Sequence, residues 1–128
     1  MKYILTLLAF ALLIFTAQSS EAVELLHTYD SMKDDTQELA SQYPDIAIYS
    51  EQGMSTGLDL EIFSVDVALN ITELTDEELN ALPTMYVDGT HHGNEGMSAE
   101  ASFLFLQDVL ERSAADPSYL EGKRLVVT

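Results

Sequence analysis

The 128-residue chain contains no cysteine. Disulfides therefore cannot hold it together, and cysteine-ligated zinc is excluded, so any zinc site must be built from His, Asp and Glu. Basic residues are also scarce, five Lys and Arg against 22 Asp and Glu, for a formal charge of −17. A surface with so little positive charge cannot neutralise phosphates, which argues against nucleic acid or anionic lipid as partners. The acids are scattered along the chain, so they read as a solvated surface or adaptation to a salty medium, not as a trap for basic peptides. There are no internal repeats and no low-complexity tracts.

Long apolar runs are almost absent too. The one exception, Ile4 to Phe15, falls short of the ~20 residues a spanning helix needs. It follows Met1-Lys2-Tyr3 and precedes the small and polar residues from Thr16 to Ala22. Charge, short apolar run and small residues, in that order, make a secretory signal peptide over residues 1–22, with cleavage after Ser19 or Ala22. The expectation is a secreted protein, extracellular or periplasmic, with no membrane anchor after cleavage. Residues 23–128 form its one domain.

Within that domain, Tyr29 to Tyr43 reads as an amphipathic helix, with Tyr29, Met32, Thr36, Leu39, Ala40 and Tyr43 at three- and four-residue steps and Pro44 ending it. Ile46 to Ser50 is a short strand, Gly53 to Gly57 a turn, and Leu58 to Val67 an alternating strand, together an antiparallel hairpin. Asn70 to Ala81 is a polar connection with one helical turn near Thr75 to Glu78. Asn70-Ile71-Thr72 has the form of a glycosylation acceptor, read here as an ordinary surface loop. A strand over Pro83 to Gly89, a helix over Met97 to Arg112 apolar around most of its circumference, and a strand from Lys123 to Thr128 make a crossover unit. The fold class is α/β, a mixed sheet flanked by helices. The closing strand is expected at an open sheet edge, as though the domain were incomplete at its C-terminus.

The residues that carry chemistry are in Val87-Asp88-Gly89-Thr90-His91-His92-Gly93-Asn94-Glu95-Gly96, between that strand and helix. In open α/β sheets ligands gather at this carboxyl edge. Two metal pairings are open, His92 with Glu95 and His91 with Glu95. A zinc site uses imidazole nitrogen and carboxylate oxygen in tetrahedral array with one position for water, and Gly93 permits the turn that aims both side chains at one point. This is not the helical HExxH pattern, since no second His follows, so Glu95 reads as a ligand and not a base. Alone, His-x-x-Glu is a weak signal.

The order of the pieces says more. Thr28-Tyr29-Asp30, a helix ending Gln42-Tyr43-Pro44-Asp45-Ile46, Gly53-Met54-Ser55 with Gly57 and Leu58-Asp59-Leu60, and Leu82-Pro83 leading to His92-Gly93-Asn94-Glu95 resemble the opening of the carboxypeptidase A-like zinc carboxypeptidases. The resemblance runs from about His27 to Thr128. It implies a zinc cofactor with His92 and Glu95 as ligands, and peptide or protein substrates with a free C-terminus. It also implies a second His, a general-base Glu and carboxylate-binding arginines further along, so the chain reads as an N-terminal part without its catalytic residues. Two departures stand out. The turn is one residue short, with Leu58 where the family carries Arg, and Asn94 stands where animal digestive members carry Arg. His91 reads as a neighbour of the site, Asp88 as a group able to orient a ligand His, and His27 is assigned no role. Two rivals share the fold: the aspartoacylase and succinylglutamate desuccinylase amidohydrolases, and a non-catalytic pseudoenzyme binding module.

Overall fold

A computed structural model describes residues 26–91 and 95–128. The signal-peptide reading of residues 1–22, and His92, lie outside the described residues. Helix α1 spans Tyr29–Ser41 and opens on a capping box, in which Thr28 Oγ1 accepts from the Ser31 amide and Ser31 Oγ accepts from the Thr28 amide. Those two bonds satisfy donors that a helix start otherwise leaves orphaned. Thr36, Leu39 and Ala40, three and four apart, are its buried residues.

Strand β1 spans Ala47–Met54 and pairs antiparallel with β2, Glu61–Val67. The hairpin is as expected but its turn is displaced. Gly53 sits inside β1, opposite Ile62, at φ +143. The register shifts between Glu51 and Gly53, so Gln52 is an extra residue in a bulge. Only glycine takes that φ without strain, which is why a residue with turn chemistry can serve inside a strand. The chain turns instead over residues 55–60, where the Ser55 amide donates to the Leu60 carbonyl at 2.6 Å.

A capped helix α2 at Asp76–Ala81 follows, longer than the single turn expected. Then come β3 (Thr84–Val87), α3 (Gly96–Ala115), a 3-10 turn (Pro117–Tyr119) and β4 (Arg124–Val127). The sheet order is β1-β2-β4-β3, with β4 antiparallel to β2 and parallel to β3. The last strand is thus interior, contrary to the expectation of an open edge; among the described residues the edges are β1 and β3. The reason is packing. Seating β4 opposite Val65 and Val67 buries Leu125 and Val127, which an edge position would leave half wet.

Both long helices lie on one face of this sheet. Leu39 and Ala40 of α1 share a core with Leu106, Val109 and Leu110 of α3 and with Ala47, Val65, Val67, Leu125 and Val127 of the strands. Leu106 and Leu110 are almost wholly buried, worth about 1.5–3 kcal/mol each. Helix α3 is accordingly buried on one side, not around most of its circumference: Met97 is 72% and Leu104 60% exposed. It packs against a single sheet face, which leaves Met97 and Leu104 exposed. No described helix is long and apolar enough to cross a membrane.

Candidate functional site

Strand β3 delivers the chain to the carboxyl edge of the sheet. Beyond Val87, the Thr128 amide donates to the Val87 carbonyl at 2.9 Å and the Gly89 amide to the Thr128 carbonyl at 2.8 Å. Gly89 is buried, and a β-carbon there would lie 3.0 Å from Ser102 Oγ and 3.1 Å from the Thr128 oxygen. The absent side chain lets α3 come down against the end of the sheet. That contact fixes the relation between β3 and the helix that carries Glu95.

Asp88 turns the chain outward. Its Oδ1 accepts from the Thr90 amide at 3.2 Å, an Asx turn, and its Oδ2 lies 2.9 Å from His91 Nδ1. The carboxylate read as able to orient a histidine is therefore beside His91, whose side chain is 75% exposed. Glu95 is the N-cap of α3. Its carbonyl accepts from the Ser98 amide at 2.9 Å and from Ser98 Oγ at 2.7 Å, while its carboxylate makes no capping bond. The structure thus sets Asp88 and His91 at one rim and Glu95 at the head of the following helix.

A groove of about 470 Å³ runs from this rim along the sheet face opposite α1 and α3. Asp88, Thr90 and His91 line it together with Ser64, Asp66 and Arg124. Arg124 is engaged there: its Nε is 2.5 Å and its Nη2 3.0 Å from the two Asp66 oxygens, and Nη1 donates to Asn80 Oδ1 at 2.9 Å. The bidentate fork and the low exposure of both partners, 16% and 20%, make this pair part of the sheet's architecture.

As a donor set for zinc, imidazole and carboxylate are the right kinds of group. Among the described residues, however, no three His, Asp or Glu side chains gather as a metal cluster. Of the His-x-x-Glu pair, Glu95 is the member that lies among the described residues.

The residue that sequence reasoning passed over is His27. Its ring bridges Asp35 of α1 and Glu100 of α3, eight and 73 positions away. No local pattern announces a partner so distant.

These elements build part of a carboxypeptidase-like fold. Thrombin-activatable fibrinolysis inhibitor superposes with a TM-score of 0.65 at 16% identity, over 80% of this chain and 24% of that one. The bovine protein of that name, solved with a tick carboxypeptidase inhibitor, gives 0.60 at 15%, over 80% and 29%. Carboxypeptidase A from Helicoverpa armigera gives 0.62 at 19%, over 80% and 23%. The chain thus spans about a quarter of the length of each of these proteins, from 23% to 29%. No protein-family model and no curated protein matches the sequence.

Proposed function

We propose that the chain supplies His92 and Glu95 as zinc ligands of a secreted metallocarboxypeptidase, which removes C-terminal residues from peptides and proteins. The observation that supports this best is position. In a fold shared with carboxypeptidases, the His-x-x-Glu motif falls between the carboxyl end of β3 and the start of α3, with Glu95 as the N-cap. That is the edge at which α/β sheets bind ligands. When bound, zinc polarises a scissile carbonyl and lowers the pKa of its water.

The chain's own residues then have separate tasks. Glu95 and His92 hold the ion, and Asp88 holds His91 at the rim of the groove. In this reading the third ligand, the general base and the arginines that take the substrate carboxylate come from sequence beyond Thr128. The 128-residue chain by itself is then a weak zinc binder without peptidase activity.

Zinc uptake by the full chain, read by competition with a chromophoric chelator, tests the assignment. His92→Ala and Glu95→Ala should each abolish uptake, and His91→Ala should leave it. Equal loss in His91→Ala and His92→Ala would remove His92 from its special role. Hydrolysis of C-terminally free peptides by the chain alone would refute the division of the site.

A further inference from the structure

The geometry points to His27 as a proton-operated clasp that holds the segment before α1, helix α1 and the first turns of α3 together, and so positions the turn bearing Glu95. The side chain stands between two carboxylates. Nδ1 lies 2.9 and 2.8 Å from the two oxygens of Glu100, and Nε2 lies 3.0 Å from Asp35 Oδ2. The His27 backbone amide also donates to Glu100, at 2.5 Å. A neutral imidazole has one N–H and one lone pair, so with carboxylates at both nitrogens one contact would set lone pair against anion. Only the imidazolium donates to both.

The segment lies along one stripe of α3. Leu26 lies 3.6 Å from the β-carbon position of Gly96, His27 binds Glu100, and its ring centroid is 5.2 Å from that of Phe103. Positions 96, 100 and 103 succeed one another on a single helix face. The stripe matters because core burial of α3 begins only at Ser102. The turn from Gly96 to Ala101 contributes no buried residue to the core, and the His27 segment bonds to it across the fold.

Among described residues, Glu100 from α3 and Asp35 from α1 are the charged groups facing the ring. The hydrogen bond to Glu100 raises His27 above its ordinary 6.5, with Asp35 adding to it against partial desolvation. The bond from the His27 amide lowers Glu100 below its ordinary 4.5. A raised histidine stabilises fully below 6.5, and the effect is lost as pH rises through the folded value. A lowered carboxyl stabilises above 4.5, and the effect is lost as pH falls through its folded value. The clasp is therefore closed between the two and opens on either side, with the alkaline side governed by His27.

This attachment does not depend on zinc, and its test is run on the full chain without added metal, so its failure leaves the His92 and Glu95 assignment standing. Ring NMR should show His27 titrating above 6.5. Glu100→Gln should lower that midpoint more than Asp35→Asn does. Amide exchange over residues 96–101, corrected for intrinsic base catalysis, should speed up about tenfold in the parent chain between one pH below and one pH above the measured His27 midpoint. His27→Gln should exchange fast at both values. A His27 midpoint at or below 6.5, or one that neither carboxylate variant moves, overturns the clasp. So does a pH response of residues 96–101 that survives in His27→Gln. Should that variant fail to fold, the ring midpoints of the two carboxylate variants decide the matter.

Discussion

Gly89→Ala tests how the site is anchored to the sheet. The added β-carbon meets Ser102 Oγ at 3.0 Å, Ser102 Cβ at 3.1 Å and the Thr128 carbonyl oxygen at 3.1 Å. The hydroxyl can rotate away. The other two are fixed to the backbones of α3 and the end of β4, and the Thr128 oxygen already accepts the Gly89 amide at 2.8 Å. Relief therefore requires the helix and the strand end to separate by a few tenths of an ångström. Overpacking of this kind costs about 1–3 kcal/mol. Backbone entropy works the other way, since replacing glycine stabilises by about 0.4–1 kcal/mol where the conformation allows it. Gly89 is not at positive φ, so that gain applies, and a net loss of about 1–2 kcal/mol is expected. Urea unfolding of the full chain measures it. A double-mutant cycle with Ser102→Ala, which removes the 3.0 Å contact, should return part of the loss as a coupling of about 0.5–1 kcal/mol. Ser102→Gly removes two of the three contacts and should return more of it, although it adds its own helix penalty of about 1 kcal/mol. A fully stable Gly89→Ala, or additive double mutants, would show that α3 does not rest on this glycine.

Two further substitutions probe the helix and the sheet. Leu110→Ala, at a wholly buried position, should cost about 2–5 kcal/mol, while Leu104→Ala, 60% exposed on the same helix, should stay within about 0.5 kcal/mol; comparable losses in urea unfolding would contradict the one-sided burial of α3. Arg124→Met breaks a fork whose partners are mostly shielded, so its cost should fall between the ~0–1 kcal/mol of a surface pair and the ~3–5 kcal/mol of a fully buried one. Replacing Asp66 by Asn at the same time should cost less than the sum of the two singles, and strict additivity would mean that the pair contributes no mutual energy.

What the sequence made legible divides along a physical line. Features carried by local chemistry were readable. The three- and four-residue steps from Tyr29 and the stop at Pro44 mark α1, residues 46–67 hold a hairpin, and the alternation of strand, helix and strand after Pro83 marks the crossover. The place of Glu95, at the head of the helix that follows β3, belongs to the same alternation. Features decided by distant partners were not. Whether Gly53 bends the chain or bulges a strand depends on which residue lies opposite, and Ile62 does. The interior seat of β4 depends on Val65 and Val67, some sixty residues earlier, offering it a buried row. The apolar circumference of α3 records what its residues are, not what they meet, and one sheet face covers only part of it.

His27 shows the same division at the scale of a single side chain. A histidine near the start of a domain carries no information about function until its neighbours are known. Its meaning arises when α1 and α3 bring Asp35 and Glu100 to opposite nitrogens of one ring. Sequence then identifies the ligand candidates through their spacing, and the fold identifies the group that holds their turn in place. The two kinds of residue differ in what a mutation should reveal. Loss of Glu95 should remove metal uptake, while the His27 bonds to Asp35 and Glu100 stay in place. Loss of His27 should loosen α3 and weaken uptake only as far as Glu95 is misplaced. Measured side by side, metal uptake and amide exchange over residues 96–101 separate a ligand from the residue that positions it.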